Sequence, residues 1–518
     1  MSLQEVPEKQ TFDQTTAPFA ELPDDSTEKG GDVQKYILDL EDDVDLPTPQ
    51  TLTEEEEKKL YRKIDWRLMP MLTLMYLCSF LDRGNIGNAK LQGLTTQLHL
   101  TGNKYNVALA MYFIPYCLVE CPASLVTKKF RPSRWLPGIT IAWGVIMSLM
   151  GIVKTYPQLV GVRVALGAAE AGLFPGVAWY LSMWYPRHML QLRIGMFWGG
   201  ATIAGAFSGI LAYGISFMSG TSGRLGWSWI FIIEGAFTVA VGLVSIFVLI
   251  DSPSTAKFLT PQERLYILWR KSRHRTNLLE YDNSLVGEEE AFAFRHVWAA
   301  ISDWQTWMHV LIYMSIIGPL YGISFFLPFG FSPANSQLLT VPPYVFATIV
   351  TITFAILSDY VQKRAPFVFA GHLMCLIGFS IQISDASFGV KYFGTFFCVA
   401  GSYAAFPGVI TWLANNVAGQ YKRGAAIALH IGFGNFAGSI ASVLYRSQDA
   451  PRYILGDGLE LMFIGIGVIS LTLVLIIYIR INARRDVVEA ERAEKGIKYS
   501  AKELRRLGDR APDFRYTL

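Results

Sequence analysis

The stretch YLCSFLDRGNIGNAKL (76–91) ends an apolar run on a charged pair, Asp82 and Arg83, where a segment otherwise fit for lipid would carry neither. Upstream, the run opens near Leu68 and is preceded by Lys58, Lys59, Arg62, Lys63 and Arg67. No secretory signal is expected ahead of it, because residues 1–66 are polar and acidic. A basic flank followed by a run of apolar residues reads as a first membrane-spanning helix.

Composition supports that reading along the whole chain. The 518 residues are 52% hydrophobic and only 17% charged, against about a quarter charged in soluble domains. A net charge of +3 argues for no nucleic-acid partner. Cys78, Cys117, Cys121, Cys375 and Cys398 all sit in or beside apolar runs and read as small buried hydrophobes. The seven histidines are scattered without metal-ligand spacing, and no Ser-His-Asp arrangement can be placed. An enzyme, a metal and an organic cofactor are therefore not expected.

Taking about twenty residues per crossing, twelve spans are expected: 67–83, 106–127, 135–153, 159–183, 194–217, 228–250, 307–329, 342–360, 366–384, 391–413, 425–445 and 459–480. Basic residues crowd the alternate loops, at Lys128 and Lys129, Arg187 and Arg193, Lys363 and Arg364, Lys422 and Arg423. By the positive-inside rule both termini are cytoplasmic, which agrees with an even count. The expected organisation is a largely disordered tail at 1–66, a six-helix half at 67–250, a cytoplasmic loop at 251–305, a second half at 306–480 and a tail at 481–518. Within the loop, Thr260 and Glu263 match a helix-start capping box. The halves echo each other: VTKKFRPSR (126–134) follows the second span and LSDYVQKR (357–364) the eighth. WYPRHMLQLR (184–193) and NNVAGQYKRG (415–424) follow the fourth and tenth. This all-α membrane plan of parallel six-helix repeats is that of the major facilitator architecture.

Ionisable residues inside spans are expensive and persist when they pair or face a cavity. Adjacent residues on a helix point about 100° apart, so Asp82 and Arg83 need separate partners. Arg83 is expected to face a central cavity and hold an anionic substrate, ideally bidentately. Asp82, between helices, and Glu170, set among Gly167, Ala168, Ala169, Ala171 and Gly172, are the expected proton-coupling acids. Arg163, two turns before Glu170, reads as a cytoplasmic gating or structural cation. Glu120 and Glu234 suit structural clamps. The competing reading of every such charge is an ion pair that locks two helices together.

These residues resemble a known family. RKIDWRLMPMLTLMYLCSFLDRGNIGNAKL (62–91), RVALGAAEAGLFPGVAWYLSMWYPR (163–187), WSWIFIIEGAFT (227–238), QLLTVPPYVFATIVTITFAILSDYVQKR (337–364), WLANNVAGQYKRGAAIALHIGFGNFAGSI (412–440) and DAPRYILGDG (449–458) are similar to the fungal allantoate permease group. That group lies within the anion:cation symporters of the major facilitator superfamily. The resemblance implies proton-driven uptake of small organic anions: nicotinate or other vitamins, ureides such as allantoate, or other carboxylates. It implies that Asp82 and Glu170 couple protons, that Arg83 holds the anion, and that Tyr112, Trp412 and Asn435 line the pocket. The loop TKKFRPSR lacks the acid usual in facilitators, whereas SDYVQKR keeps Asp359 with Lys363 and Arg364. A cytoplasmic gate or structural lock is therefore expected at Asp359 and Arg364, with Arg163 as a further candidate, and a full charge lock is not expected in the first half. A proton-coupled exporter and a non-transporting nutrient sensor are the alternatives. The expected setting is a lipid bilayer, with the plasma membrane as default, a monomer as the working unit and the proton as coupling ion.

Overall fold

The computed structural model describes residues 52–127, 130–276, 294–326, 338–449, 452–495 and 507–518. The chain divides into Met1–Thr48, which lies outside the described residues, and Pro49–Leu518. In the first half, α1 (Glu54–Leu91), α2 (Lys104–Thr127) and α3 (Pro132–Met150) are followed by α4 (Tyr156–Glu170), α5 (Leu173–Trp184), α6 (Arg187–Ser216) and α7 (Gly226–Val248). α8 (Pro261–Thr276) and α9 (Phe294–Ile301) belong to the connecting stretch. α10 (Trp304–Phe326), α11 (Val341–Val361), α12 (Ala365–Ile383), α13 (Phe388–Asn416), α14 (Gln420–Leu444) and α15 (Ile454–Lys495) form the second half. No strand occurs among the described residues.

Each expected span coincides with a helix, the fourth being α4 and α5 together. Among the described residues, nine of these are long and apolar enough to cross a membrane by length and composition alone. Pro175 explains why the fourth span is broken. Lacking an N–H, it cannot donate to the carbonyl of Ala171, so the helix ends its first segment at Glu170 and restarts at Leu173.

The pairing of helices repeats between the halves. α1 packs on α6 as α10 packs on α14, α2 on α4 as α11 on α13, and α3 on α7 as α12 on α15. Across the halves, α2 meets α14 and α6 meets α11, two equivalent contacts exchanged by the repeat. Close approach is bought with glycine. A Cβ built at Gly167 of α4 would stand 2.1 Å from the carbonyl oxygen of Tyr112 on α2.

Two boundaries differ from expectation. α1 starts well before residue 67 because Thr53 and Glu56 form a capping box, the Thr53 amide donating to Glu56 at 2.9 Å and the Glu56 amide to the Thr53 hydroxyl at 3.4 Å. Its early turns bury Leu60, Tyr61 and Ile64. They also meet α8, where Lys63 pairs with Glu263 at 2.9 Å and Arg270 pairs with Glu57. The expected capping box at Thr260 and Glu263 is present, with the Thr260 amide donating to Glu263 at 2.8 Å. At the other terminus α15 continues to Lys495, and residues 507–518 fold back onto the second half. Tyr516 stacks on Tyr478 with 4.4 Å between centroids. The Arg364 amide donates to the Leu518 carbonyl at 2.8 Å. α1 enters and α15 leaves at one end of the bundle, the terminus end; the opposite end is the remote end.

Candidate functional site

Arg83 sits within α1 and is 5% exposed. Its Nη2 donates to Glu170 Oε1 at 2.6 Å, and its Nη1 donates to the hydroxyl of Tyr321 on α10. The guanidinium lies over the rings of Phe80 and Tyr116, 5.0 Å from each centroid, and 5.3 Å from that of Tyr112. Arg83 Nε is buried and has no hydrogen-bond partner. Glu170 also accepts from the hydroxyls of Ser79 and Tyr112, the latter at 2.6 Å. Helical spacing assembles this. Ser79 and Arg83 are one turn apart on α1, as are Tyr112 and Tyr116 on α2, so each pair shares a face. The break before Pro175 puts Glu170 in the last turn of α4.

Arg83 therefore bonds one residue from each half. Beside it lies a cavity of about 50 Å³, lined by Arg83, Gly84 and Gly87 of α1, Ser208 of α6, and Tyr321 and Phe325 of α10. It extends from Arg83 toward the remote end. That volume holds water but falls far below the roughly 300 Å³ of a ligand pocket, so its walls must part to admit a substrate. Toward the terminus end the halves close on aromatic rings. Trp198 of α6 stacks on Phe406 of α13 with 3.3 Å between centroids and 7° between planes. Tyr76 and Phe197 lie next to this stack, 4.1 Å apart, and Trp198 Nε1 donates to the Tyr403 carbonyl at 3.3 Å.

The other predicted residues separate into distinct places. Asp82 does face away from Arg83: its Oδ2 accepts from Trp143 of α3 at 3.1 Å and from Thr238 of α7 at 2.8 Å, while Oδ1 is unpartnered. Tyr112 lies behind Glu170 and holds it, rather than lining the cavity. Asn435 of α14 donates to Glu120 of α2 at 3.4 Å, a polar contact across the halves and outside the cavity lining. Glu234 accepts from Asn85.

Besides Tyr112 and Asn435, which were expected to line the pocket, two more placements correct the expectation. Trp412 is not at the cavity. It is fully buried near the terminus end, where its Nε1 donates to the Thr517 carbonyl at 2.8 Å and its ring meets His309 and Tyr478. Depth along a helix was legible, but the folded-back segment that claims this ring was not. Arg163 is not on the terminus side either. α4 runs from the remote end toward the terminus end, so Arg163 lies remote of Glu170, buried, with Nε and Nη2 unpartnered. Asp359 and Arg364 do pair, at 2.8 Å, with Arg364 also donating to Ser358. Sequence reading missed a two-pronged pair between Asp65 of α1 and Arg193 of α6, at 3.0 and 2.8 Å, whose counterpart in the second half is Asp303 with Lys422 of α14 at 2.6 Å.

Tyr321, Tyr344 and Tyr403, which all line the cavity, were also missed. A signal existed for Tyr321 and Tyr403: tyrosines belong at membrane interfaces, so a tyrosine in mid-span carries a hydroxyl that needs a partner. Ser79, one turn before Arg83 on the same face, was legible by the same logic.

Comparison with known proteins agrees with this architecture. The family model described as Major Facilitator Superfamily matches residues 72–442. The chain belongs to the major facilitator superfamily, and it is a multi-pass membrane transporter rather than an enzyme. It is 36% identical to the MFS-type transporter cnsO of Penicillium expansum, over 95% of this chain and 97% of that protein. It is 30% identical to the high-affinity nicotinic acid transporter of Saccharomyces cerevisiae, over 99% of this chain and 95% of that one. Among solved structures it shares its fold with the xylose transporter XylE from E. coli in a partially occluded inward-open conformation. The TM-score is 0.56, at 15% identity, covering 79% of this chain and 97% of the other.

Proposed function

We propose that this transporter carries a small organic anion together with a proton, by alternating access, through the cavity beside Arg83. The observation that carries the reading is that one buried guanidinium is both cavity wall and ion-pair partner, and still has a spare N–H at Nε. A substrate carboxylate meeting the Nε and Nη2 edge makes two parallel hydrogen bonds and replaces Glu170. Glu170, released from its counter-charge, is then the group that takes the coupling proton. As a neutral acid it keeps its contacts with Ser79 and Tyr112. Anion and proton therefore enter together. Asp82, with one oxygen free and no cation bonded, is the second proton-coupling group.

Tyr321 gives the substrate a route to both halves, since the anion bound to Arg83 lies beside a residue of α10. Parting of the Trp198–Phe406 stack opens the terminus side and releases the cargo. The likeness to a nicotinic acid transporter, and Phe325 and Tyr321 at the cavity wall, favour flat monocarboxylates such as nicotinate over ureides. With both termini cytoplasmic, the cavity extends toward the outside, which suits uptake at the plasma membrane by a monomer.

The experiment is accumulation of labelled nicotinate, then of a competing panel of carboxylates, in cells lacking their own uptake. Concentrative uptake that collapses with a protonophore supports the reading. Binding without accumulation makes the protein a sensor, and faster loss of preloaded label makes it an exporter.

A further inference from the structure

α15 carries a carboxyl that the site above does not use. Glu460 is 0% exposed, and neither Oε1 nor Oε2 has a hydrogen-bond partner. Both oxygens lie against a bare strip of α10. A Cβ built at Gly318 would stand 3.0 Å from Oε2, and one built at Gly322 would stand 2.6 Å from Oε1. These glycines are one turn apart on one face, so the carboxyl fills a groove that a side chain at either position would close. Pro319 stands between them and cannot donate to the carbonyl of Ser315, which leaves the α10 ladder one bond short at this turn. Tyr321, in the same turn, presents its hydroxyl to Arg83. One turn of α10 thus touches Glu460 on one side and the guanidinium on another.

Among the described residues no cation faces Glu460. The titratable groups around it are Asp457 on its own helix, Tyr445 just past α14, Cys375 of α12 and Cys398 of α13. Asp457 is held by the Tyr445 hydroxyl at 3.0 Å, and Lys391 faces Asp457 rather than Glu460. His372 is engaged with Ser315 at 2.9 Å and with the Val368 carbonyl at 2.8 Å. A carboxylate without donor or counter-ion does not stay charged in such surroundings, so the group resting on the glycines is the neutral acid.

We propose that Glu460 is a proton-binding site of the second half, and that loss of its proton forces the Gly318–Gly322 turn away from α15 and takes Tyr321 off Arg83. The glycine strip has no free N–H to offer an anion, because its amides serve the helix. Once ionised, the carboxylate is satisfied only by water, which enters as the groove opens and carries the proton away. This rests on the helix packing and not on the nature of the cargo.

The test uses the purified full-length protein without substrate. Hydrogen exchange of peptides covering 311–326 is followed from acid to alkaline pH, corrected for the intrinsic rate. Wild type is expected to be protected in acid and to lose about tenfold protection on the alkaline side. Glu460→Gln is expected to stay protected throughout, and Gly322→Ala to exchange fast throughout. Infrared difference spectra should show a protonated-carboxyl band that titrates in wild type and is missing in Glu460→Gln. A wild-type exchange profile in Glu460→Gln, or an unchanged infrared band, overturns the proposal. Should Glu460→Gln fail to fold, Glu460→Asp must show the same transition at a displaced pH; an undisplaced one overturns it equally.

Discussion

Arg83 Nη2 and Glu170 Oε1 stand 2.6 Å apart with both side chains buried, and the same guanidinium reaches across to Tyr321 of the other half. A charge bonded to both halves senses their relative position, and a carboxylate that can be protonated sets how firmly it is held. Glu170→Gln keeps the shape and the contacts with Ser79 and Tyr112 but removes the titration. Exchange of substrate across the membrane should continue within a few-fold of wild type, while accumulation against a gradient is lost. Counterflow and net uptake, measured on the same vesicles, separate these outcomes; uphill uptake by Glu170→Gln would remove this residue from coupling.

Gly167 sets how closely α4 approaches α2, and so where Glu170 meets Tyr112. In Gly167→Ala the new Cβ would stand 2.1 Å from a backbone carbonyl oxygen, which cannot rotate away. Overpacking of this kind costs about 1–3 kcal/mol, and the rigid neighbour places it at the upper end. Thermal unfolding of the purified protein should show the loss.

The Trp198–Phe406 stack closes the terminus side. Removing a buried Trp ring costs about 3–5 kcal/mol, and part of that is lost only by the conformation in which the stack exists. Trp198→Ala should therefore shift the population toward the terminus-open form. Spin-label distances between the terminus ends of α6 and α13 should lengthen; an unchanged distribution would deny the stack a gating role.

Residues 507–518 bury Phe514 and Tyr516 against the second half. Tyr516→Ala removes the stack on Tyr478 and the hydrogen bond from Gln305 at 2.9 Å, at a cost of about 3 kcal/mol. The melting temperature should fall, while substrate affinity, determined far from this segment, should hold.

The sequence was most legible where physics is local. Span length follows from twenty or so apolar residues, and the cost of a charge in lipid singled out Asp82, Arg83 and Glu170 before any helix was placed. Facing was partly legible too: 100° between neighbours separated Asp82 from Arg83, and the two do go to different helices. Trp412 shows where this ends, because its partner Thr517 is remote in sequence and no periodicity announces it. Arg163 was misplaced by ignoring the direction in which the fourth span runs. Glu460 was overlooked because an acid one residue inside a span edge reads as an interfacial group, and only the glycines opposite reveal that it is buried.

The Arg83 guanidinium is the group proposed to grip the anion, and Arg83→Lys isolates its planar fork from its charge. Lysine keeps the charge but replaces the planar fork with a point, losing about 1.5–3 kcal/mol of charge-assisted hydrogen bonding, or ten- to a hundredfold in affinity. Equilibrium binding of labelled nicotinate, or of whichever carboxylate the panel selects, should fall by that factor in a variant that melts like wild type. Undiminished affinity in a folded Arg83→Lys protein would mean that the guanidinium does not hold the anion.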